Sequence, residues 1–134
     1  SRGTPNTAAL SMTRNGRMVG SAVVERAKLC LLDCLGCGLF GSTLPWTTML
    51  ADVMVEVEGR GPAWALGAKA PLPVPVAALV SGSAIHAFEL DDLHQRSILH
   101  PGSVVVSSLL SLAQAQPLSG RDFLAAMAGR MNIA

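Results

Sequence analysis

The stretch SAVVERAKLCLLDCLGCGLFG, residues 21–41, decides the fold class. Val23, Ala27, Cys30, Leu31, Cys34, Cys37 and Gly38 recur along it every three or four residues, and Glu25, Arg26, Lys28 and Asp33 fall on the opposite arc. That period is the signature of an amphipathic helix, here ending at Gly41. The cysteines form C-x3-C-x2-C, a spacing that in radical enzymes binds an iron–sulfur cluster through three thiolates. In this chain they share the apolar arc of the helix, where small thiols pack as core. The 134 residues are also too few for the barrel such enzymes use. An odd number of cysteines without an export signal implies reduced thiols in a cytoplasmic or organellar interior.

Working outward, residues 1–18 form a polar arm without a clear period, and residues 19–134 form one helical domain. Pro45 suits the first turn of a second helix, in which Met49, Leu50, Val53, Met54 and Val57 make one stripe. Val53, Val55 and Val57 also alternate with Asp52, Glu56 and Glu58, but the helical period fits better. Residues 59–73, rich in Gly and Pro, read as a loop, with a short extended piece at Ala63 to Leu66. Pro75 opens a third helix through Ala78, Leu79, Gly82, Ile85, His86 and Glu89, whose small residues invite close approach of another helix. Pro101 opens a fourth, with Val105, Leu109 and Leu112. Ser119-Gly120-Arg121-Asp122 is a capping pattern ahead of Phe123, Leu124 and Met127. The expected architecture is an all-α helical bundle, its last helix still running at Ala134, so the fold is expected to extend beyond the chain.

Ten Lys+Arg against nine Asp+Glu leave a net charge of +1, which argues against a nucleic-acid surface. Half the residues are hydrophobic and the mean hydropathy is +0.43. Residues 97–120 carry no Asp, Glu, Lys or Arg, yet His100, Pro101, Gln114, Gln116 and Pro117 interrupt any membrane-spanning run. The apolar excess is expected to meet another subunit or domain.

All three histidines, His86, His94 and His100, fall within 15 residues, together with Glu89, Asp91, Asp92 and Arg96. If the third helix continues to Asp92, then His86, Glu89 and Asp92 recur every three residues on one face. Imidazole beside carboxylate is the apparatus for moving a proton at a carbon next to a carboxylate. His100-Pro101-Gly102-Ser103 adds a helix start whose amides at Gly102 and Ser103 would attract an anion. A solvated helix cap is the plainer reading of the same residues. His86, Glu89, Asp92, His94 and His100 are also legitimate metal ligands, but no established ligand spacing is matched, and no metal is expected.

Leu31-Leu32-Asp33-Cys34-Leu35-Gly36, Ala77-Ala78-Leu79-Val80-Ser81-Gly82, His86-Ala87-Phe88-Glu89-Leu90-Asp91-Asp92-Leu93-His94 and His100-Pro101-Gly102-Ser103 occur in this order. Together they resemble the MmgE/PrpD family, which includes 2-methylcitrate dehydratase, cis-aconitate decarboxylase and iminodisuccinate epimerase. The resemblance implies the N-terminal part of a helical domain, a cleft shared with a second α/β domain, cytoplasmic or mitochondrial homodimers, and chemistry without metal or organic cofactor. It implies Glu89 and His100 as catalytic residues, with Asp91, Asp92, His94, Gly102 and Ser103 binding or shaping the substrate. Leu93 stands where many members carry a threonine, so one substrate hydrogen bond is expected to be missing. The expected activity is that of a lyase on a small polycarboxylate, most simply dehydration of a 2-methylcitrate-like acid. Its rival is a non-catalytic helical module that mediates oligomerisation or completes a partner's site.

Overall fold

The computed structural model describes residues 11–12, 18–95 and 98–131. Most of the polar arm, and Arg96 within the histidine window, therefore lie outside the described residues. Ser11–Met12 (β1) and Met18–Val19 (β2) pair as a minimal antiparallel ribbon. The body is helical: α1 (Ser21–Gly41), α2 (Pro45–Glu58), α3 (Val74–Ile85), α4 (Pro101–Ala115) and α5 (Gly120–Met131). No single helix among the described residues is long and apolar enough to cross a membrane, and α1 and α2 are bent by 86° to each other.

Each helix begins where its local chemistry permits. Pro lies in the first turn of α2, α3 and α4, where its missing N–H costs nothing. At α5 the capping box forms: Ser119 Oγ accepts from the Asp122 amide at 3.1 Å and donates to the Asp122 carboxylate at 2.8 Å. The loop between α2 and α3 is held by the antiparallel bridge of Ala63 with Leu72. The Gln114 side chain of α4 reaches both the amide (2.9 Å) and the carbonyl (3.0 Å) of Trp64 in that loop.

The arc predicted for α1 is the one that packs: Ala27, Cys34, Cys37, Gly38 and Gly41 are buried, with Cys30 and Leu31 against the core. Cys34, Ile85, Val106, Phe123, Met127 and Met131 join α1, α3, α4 and α5 in one core. Each large apolar side chain fully buried there contributes about 1.5–3 kcal/mol. A second cluster, Ala51, Ala63, Ala65, Leu72, Ala77 and Val80, seats α2 and the loop on α3.

Two sequence expectations are corrected in this body. The stripe of α2 is only half right: Leu50 and Met54 pack, but Met49, Val53 and Val57 are exposed. Thr47 and Ala51 take the buried face because, among the described residues, α2 packs mainly on α3 and the loop, which leaves Met49, Val53 and Val57 uncovered. The most deeply buried residues of α4 are Gly102, Ser103, Val106, Ser107 and Ser111; of the expected stripe, Val105 and Leu109 pack half-buried against the core, whereas Leu112 is exposed. Small residues let α3 and α4 approach closely. A Cβ on Gly82 would come within 2.8 Å of the Ser103 carbonyl, tighter than packed atoms tolerate. Gly41 meets α3 in the same way, against the Ala84 carbonyl.

Candidate active site

The close contact of α3 with α4 brings the C-terminal end of one beside the N-terminal end of the other, and the histidines stand there. The third helix stops at Ile85 instead of continuing to Asp92, with His86 as its C-cap. Glu89 takes a left-handed conformation, φ 55°, which costs a non-glycine residue about 1–2 kcal/mol. The turn is tied down by the Trp46 indole, which donates to the Ala87 carbonyl at 3.2 Å. His86, Glu89 and Asp92 therefore do not share a helical face, because the chain has changed direction between them.

Beyond that turn the Asp91 carboxylate is fully buried. Its Oδ1 lies 3.0 Å from His86 Nδ1 and 3.2 Å from His100 Nδ1. The two imidazole rings are 4.4 Å apart, centre to centre. The His86 contact is aligned as a hydrogen bond. His100 Nδ1 approaches without that alignment and has no hydrogen-bond partner, and neither has Asp91 Oδ2. A carboxylate only accepts, so a ring bonded to it presents N–H at Nδ1 and leaves Nε2 as the basic nitrogen. The His86 side chain is 42% exposed and that of His100 22%. The arrangement is thus a buried carboxylate hydrogen-bonded to one accessible imidazole, His86, and closely approached by a second, His100.

Asp92 does something different from its neighbour. Its Oδ1 accepts the Gly102 amide at 2.8 Å, so the anion at the start of α4 is the chain's own. Burial raises the Asp92 carboxyl above its ordinary value; the Gly102 hydrogen bond opposes this, and the nearby Asp91 charge adds to it. Gly102 is buried, and a Cβ there would collide with the Asp92 carboxylate and the Cys34 sulfur. Ser103 is also buried and donates to the His100 carbonyl at 2.9 Å. The expectation that the Gly102 amide receives a substrate carboxylate is corrected accordingly, since Asp92 already occupies it.

Of the other expected residues, Glu89 is exposed and lies outside the Asp91 cluster. His94 is exposed and pairs through its backbone with Leu99, an antiparallel bridge that returns the chain to His100. Leu93 is exposed. Beside His86 an open groove of about 400 Å³ runs between α3 and α4, bordered by Leu79, Gly82, Ser83, Ser103 and Ser107. His86 was expected beside Glu89 and Asp92; its pairing with Asp91 and the central place of Asp91 were not assigned from sequence, and the signal was the His-x4-Asp spacing that a turn, rather than a helix, brings together.

A helical domain with a buried carboxylate beside two imidazoles where two helix ends meet defines the class: a candidate acid–base site on an all-α scaffold. Comparison with known proteins gives the lineage. Residues 12–134 match the MmgE/PrpD N-terminal domain, and the chain belongs to that family. It is 38% identical over 112 residues to the cis-aconitate decarboxylase-like protein oryM of Aspergillus oryzae, covering 78% of this chain and 23% of that protein. It is 32% identical over 117 residues to the cis-aconitate decarboxylase of Aspergillus terreus, covering 83% of this chain and 24% of that protein. The human cis-aconitate decarboxylase is 32% identical over 109 residues, covering 78% of this chain and 22% of that protein. The chain thus spans about a quarter of the length of these curated relatives.

Proposed function

We propose that this chain carries the acid–base part of a lyase that removes carbon dioxide from a small unsaturated polycarboxylate of the cis-aconitate kind. The observation that carries the reading is the buried Asp91 with two imidazole Nδ1 atoms at 3.0 and 3.2 Å. In such an acid one carboxylate is attached to a carbon next to the double bond. When the bond to that carboxylate breaks, its electron pair forms a new double bond, and the pair of the old one takes a proton at its far carbon. Carbon dioxide leaves, and the catalytic demand is delivery of one proton to carbon. An imidazole oriented by a carboxylate meets that demand, and general acid–base catalysis of this kind is worth about 10²–10⁴-fold. Dehydration of a 2-methylcitrate-like acid needs the same group in the opposite sense, taking a proton from the carbon next to a carboxylate. The relatives' names favour decarboxylation.

His100 and His86 are the proposed proton carriers, Asp91 their orienting carboxylate, and Asp92 the residue that fixes the start of α4. A homodimer would cover the apolar outer face of α1, where Leu29, Leu32, Leu39 and Phe40 are exposed. The test is carbon dioxide release from cis-aconitate and alkene formation from 2-methylcitrate by the purified chain. His100→Ala is expected to lower turnover about 10²–10⁴-fold and Asp91→Asn about 10- to 100-fold, whereas Glu89→Gln retains it. Loss of activity in Glu89→Gln with His100→Ala unaffected would overturn the assignment. The exposed apolar face of α1 favours the module reading as the rival. A folded, oligomeric chain without turnover on either acid would support it.

A further inference from the structure

We propose that His86, Asp91 and His100 also form a binding site for a divalent cation of the zinc class. The donors are two imidazole nitrogens and one carboxylate oxygen, the set that zinc and its first-row neighbours prefer over the all-oxygen shells of calcium and magnesium. Their spacing suits a single ion. Asp91 Oδ1 stands 3.0 and 3.2 Å from the two Nδ1 atoms, and the cluster offers one donor from each residue, all within 4.8 Å of one another. Tetrahedral bonds of about 2.0–2.1 Å separate neighbouring donors by about 3.3–3.4 Å. The two Asp91–imidazole separations are therefore within a few tenths of an ångström of that value, and the third pair closes within 4.8 Å.

A second observation is independent of that spacing. The Asp91 carboxylate is fully buried, and its Oδ2 and the His100 Nδ1 beside it have no hydrogen-bond partner. Buried polar atoms are normally paired, so the orphaned His100 Nδ1, itself one of the three donors, points to a ligand that satisfies it. The partly exposed imidazoles give an ion a way in. Three protein donors leave a fourth position open to water or to a carboxylate.

One consequence rests on the acid–base reading above. An imidazole bound to a cation through Nδ1 keeps its remaining proton on Nε2, so the metal-loaded state and the proton-transferring state exclude each other. Metal binding itself does not depend on that reading and is measured without turnover.

The experiment is titration of the chelator-treated chain with cobalt(II), read by visible absorbance, and with zinc(II), read by calorimetry. One equivalent is expected to bind, with the intense visible bands of low-coordinate cobalt and no thiolate-to-cobalt charge-transfer band in the near ultraviolet. His86→Ala and His100→Ala should each weaken binding at least 10-fold, with helix content checked by circular dichroism. The double variant Cys30→Ser/Cys37→Ser should leave it unchanged. His86 is half exposed, so its variant decides the matter even if the His100 variant misfolds. Absence of saturable binding, a thiolate band, or full affinity in folded His86→Ala would overturn the proposal. Absence of turnover on either acid by the metal-free chain would count against the acid–base reading and leave the binding result standing.

Discussion

Gly102→Ala tests whether the start of α4 is held as tightly as its contacts imply. A Cβ at this position would press on both the Cys34 sulfur and the Asp92 carboxylate. Cys34 is fully buried in the middle of α1 and has nowhere to go. The Asp92 carboxylate can move, but only by releasing the Gly102 amide it holds at 2.8 Å. Overpacking of this kind costs about 1–3 kcal/mol, and loss of a capping bond about 1 kcal/mol. The better helix propensity of Ala returns at most about 1 kcal/mol. The net is a destabilisation of about 1–3 kcal/mol, a fall in Tm of roughly 3–12 °C for a domain of this size. Urea denaturation and calorimetry measure it, with Gly36→Ala as the control: a Cβ at Gly36 meets nothing within 4 Å, so that variant should match or exceed the parent. Adding Cys34→Ala to Gly102→Ala should recover part of the loss, a coupling of about 1 kcal/mol in a double-mutant cycle. If Gly102→Ala is as stable as Gly36→Ala, the close packing of α1 against the start of α4 is refuted.

Two further outcomes follow from the same corner of the molecule. Burial raises the folded-state pKa of Asp92, so the folded chain binds that proton more readily than the unfolded one, and the ionised group detracts from stability at neutral pH. Asp92→Asn keeps an acceptor for the Gly102 amide without the charge; its Tm should equal or exceed the parent's at pH 7, with the difference shrinking on acidification, and a lower Tm at pH 7 would contradict this. Burial, reinforced by Asp92, Asp33 and Asp91, pushes the Cys34 thiol up to about 12, and burial also raises Cys37. Alkylation of the native chain at pH 8, mapped by mass spectrometry, should therefore modify half-buried Cys30 first and Cys34 only on unfolding; early labelling of Cys34 would contradict its burial.

The helices were legible because their signals are local. The arc of Ala27, Cys34, Cys37 and Gly38, the prolines at positions 45, 75 and 101, and the Ser119–Asp122 box each act within one or two turns. The family resemblance was legible for a related reason: its motifs are contiguous. What could not be read was set by contacts between elements. The bare side of α2 depends on how few neighbours it has, which no period of Met49, Val53 and Val57 reveals. The end of α3 at Ile85 lacks a Gly or Pro to mark it, since His-Ala-Phe-Glu continues a plausible helix; a strained Glu89 and the Trp46 bond to Ala87 end it instead. The face shared by His86, Glu89 and Asp92 depends on α3 continuing to Asp92, whereas the role of Glu89 is implied by the family resemblance. Once the chain turns, the spacing argument passes to Asp91.

That turn explains why the packing of the bundle and the chemistry of the site are one problem. His86 terminates α3 and His100 precedes α4, so their rings meet only if the two helices run close together and in register. Gly82 against Ser103 sets the closeness. Asp92 on the Gly102 amide and Cys34 beneath it fix the height of the start of α4. Asp91, next in sequence to that anchor, is then delivered between the rings and has no freedom to leave, being fully buried. A carboxylate placed at the imidazoles next to one that anchors the helix is economical in this sense: the bond that holds the helix also aims the acceptor. Small-to-large changes at Gly82, which push on the Ser103 carbonyl, should therefore disturb the 4.4 Å separation of the imidazoles.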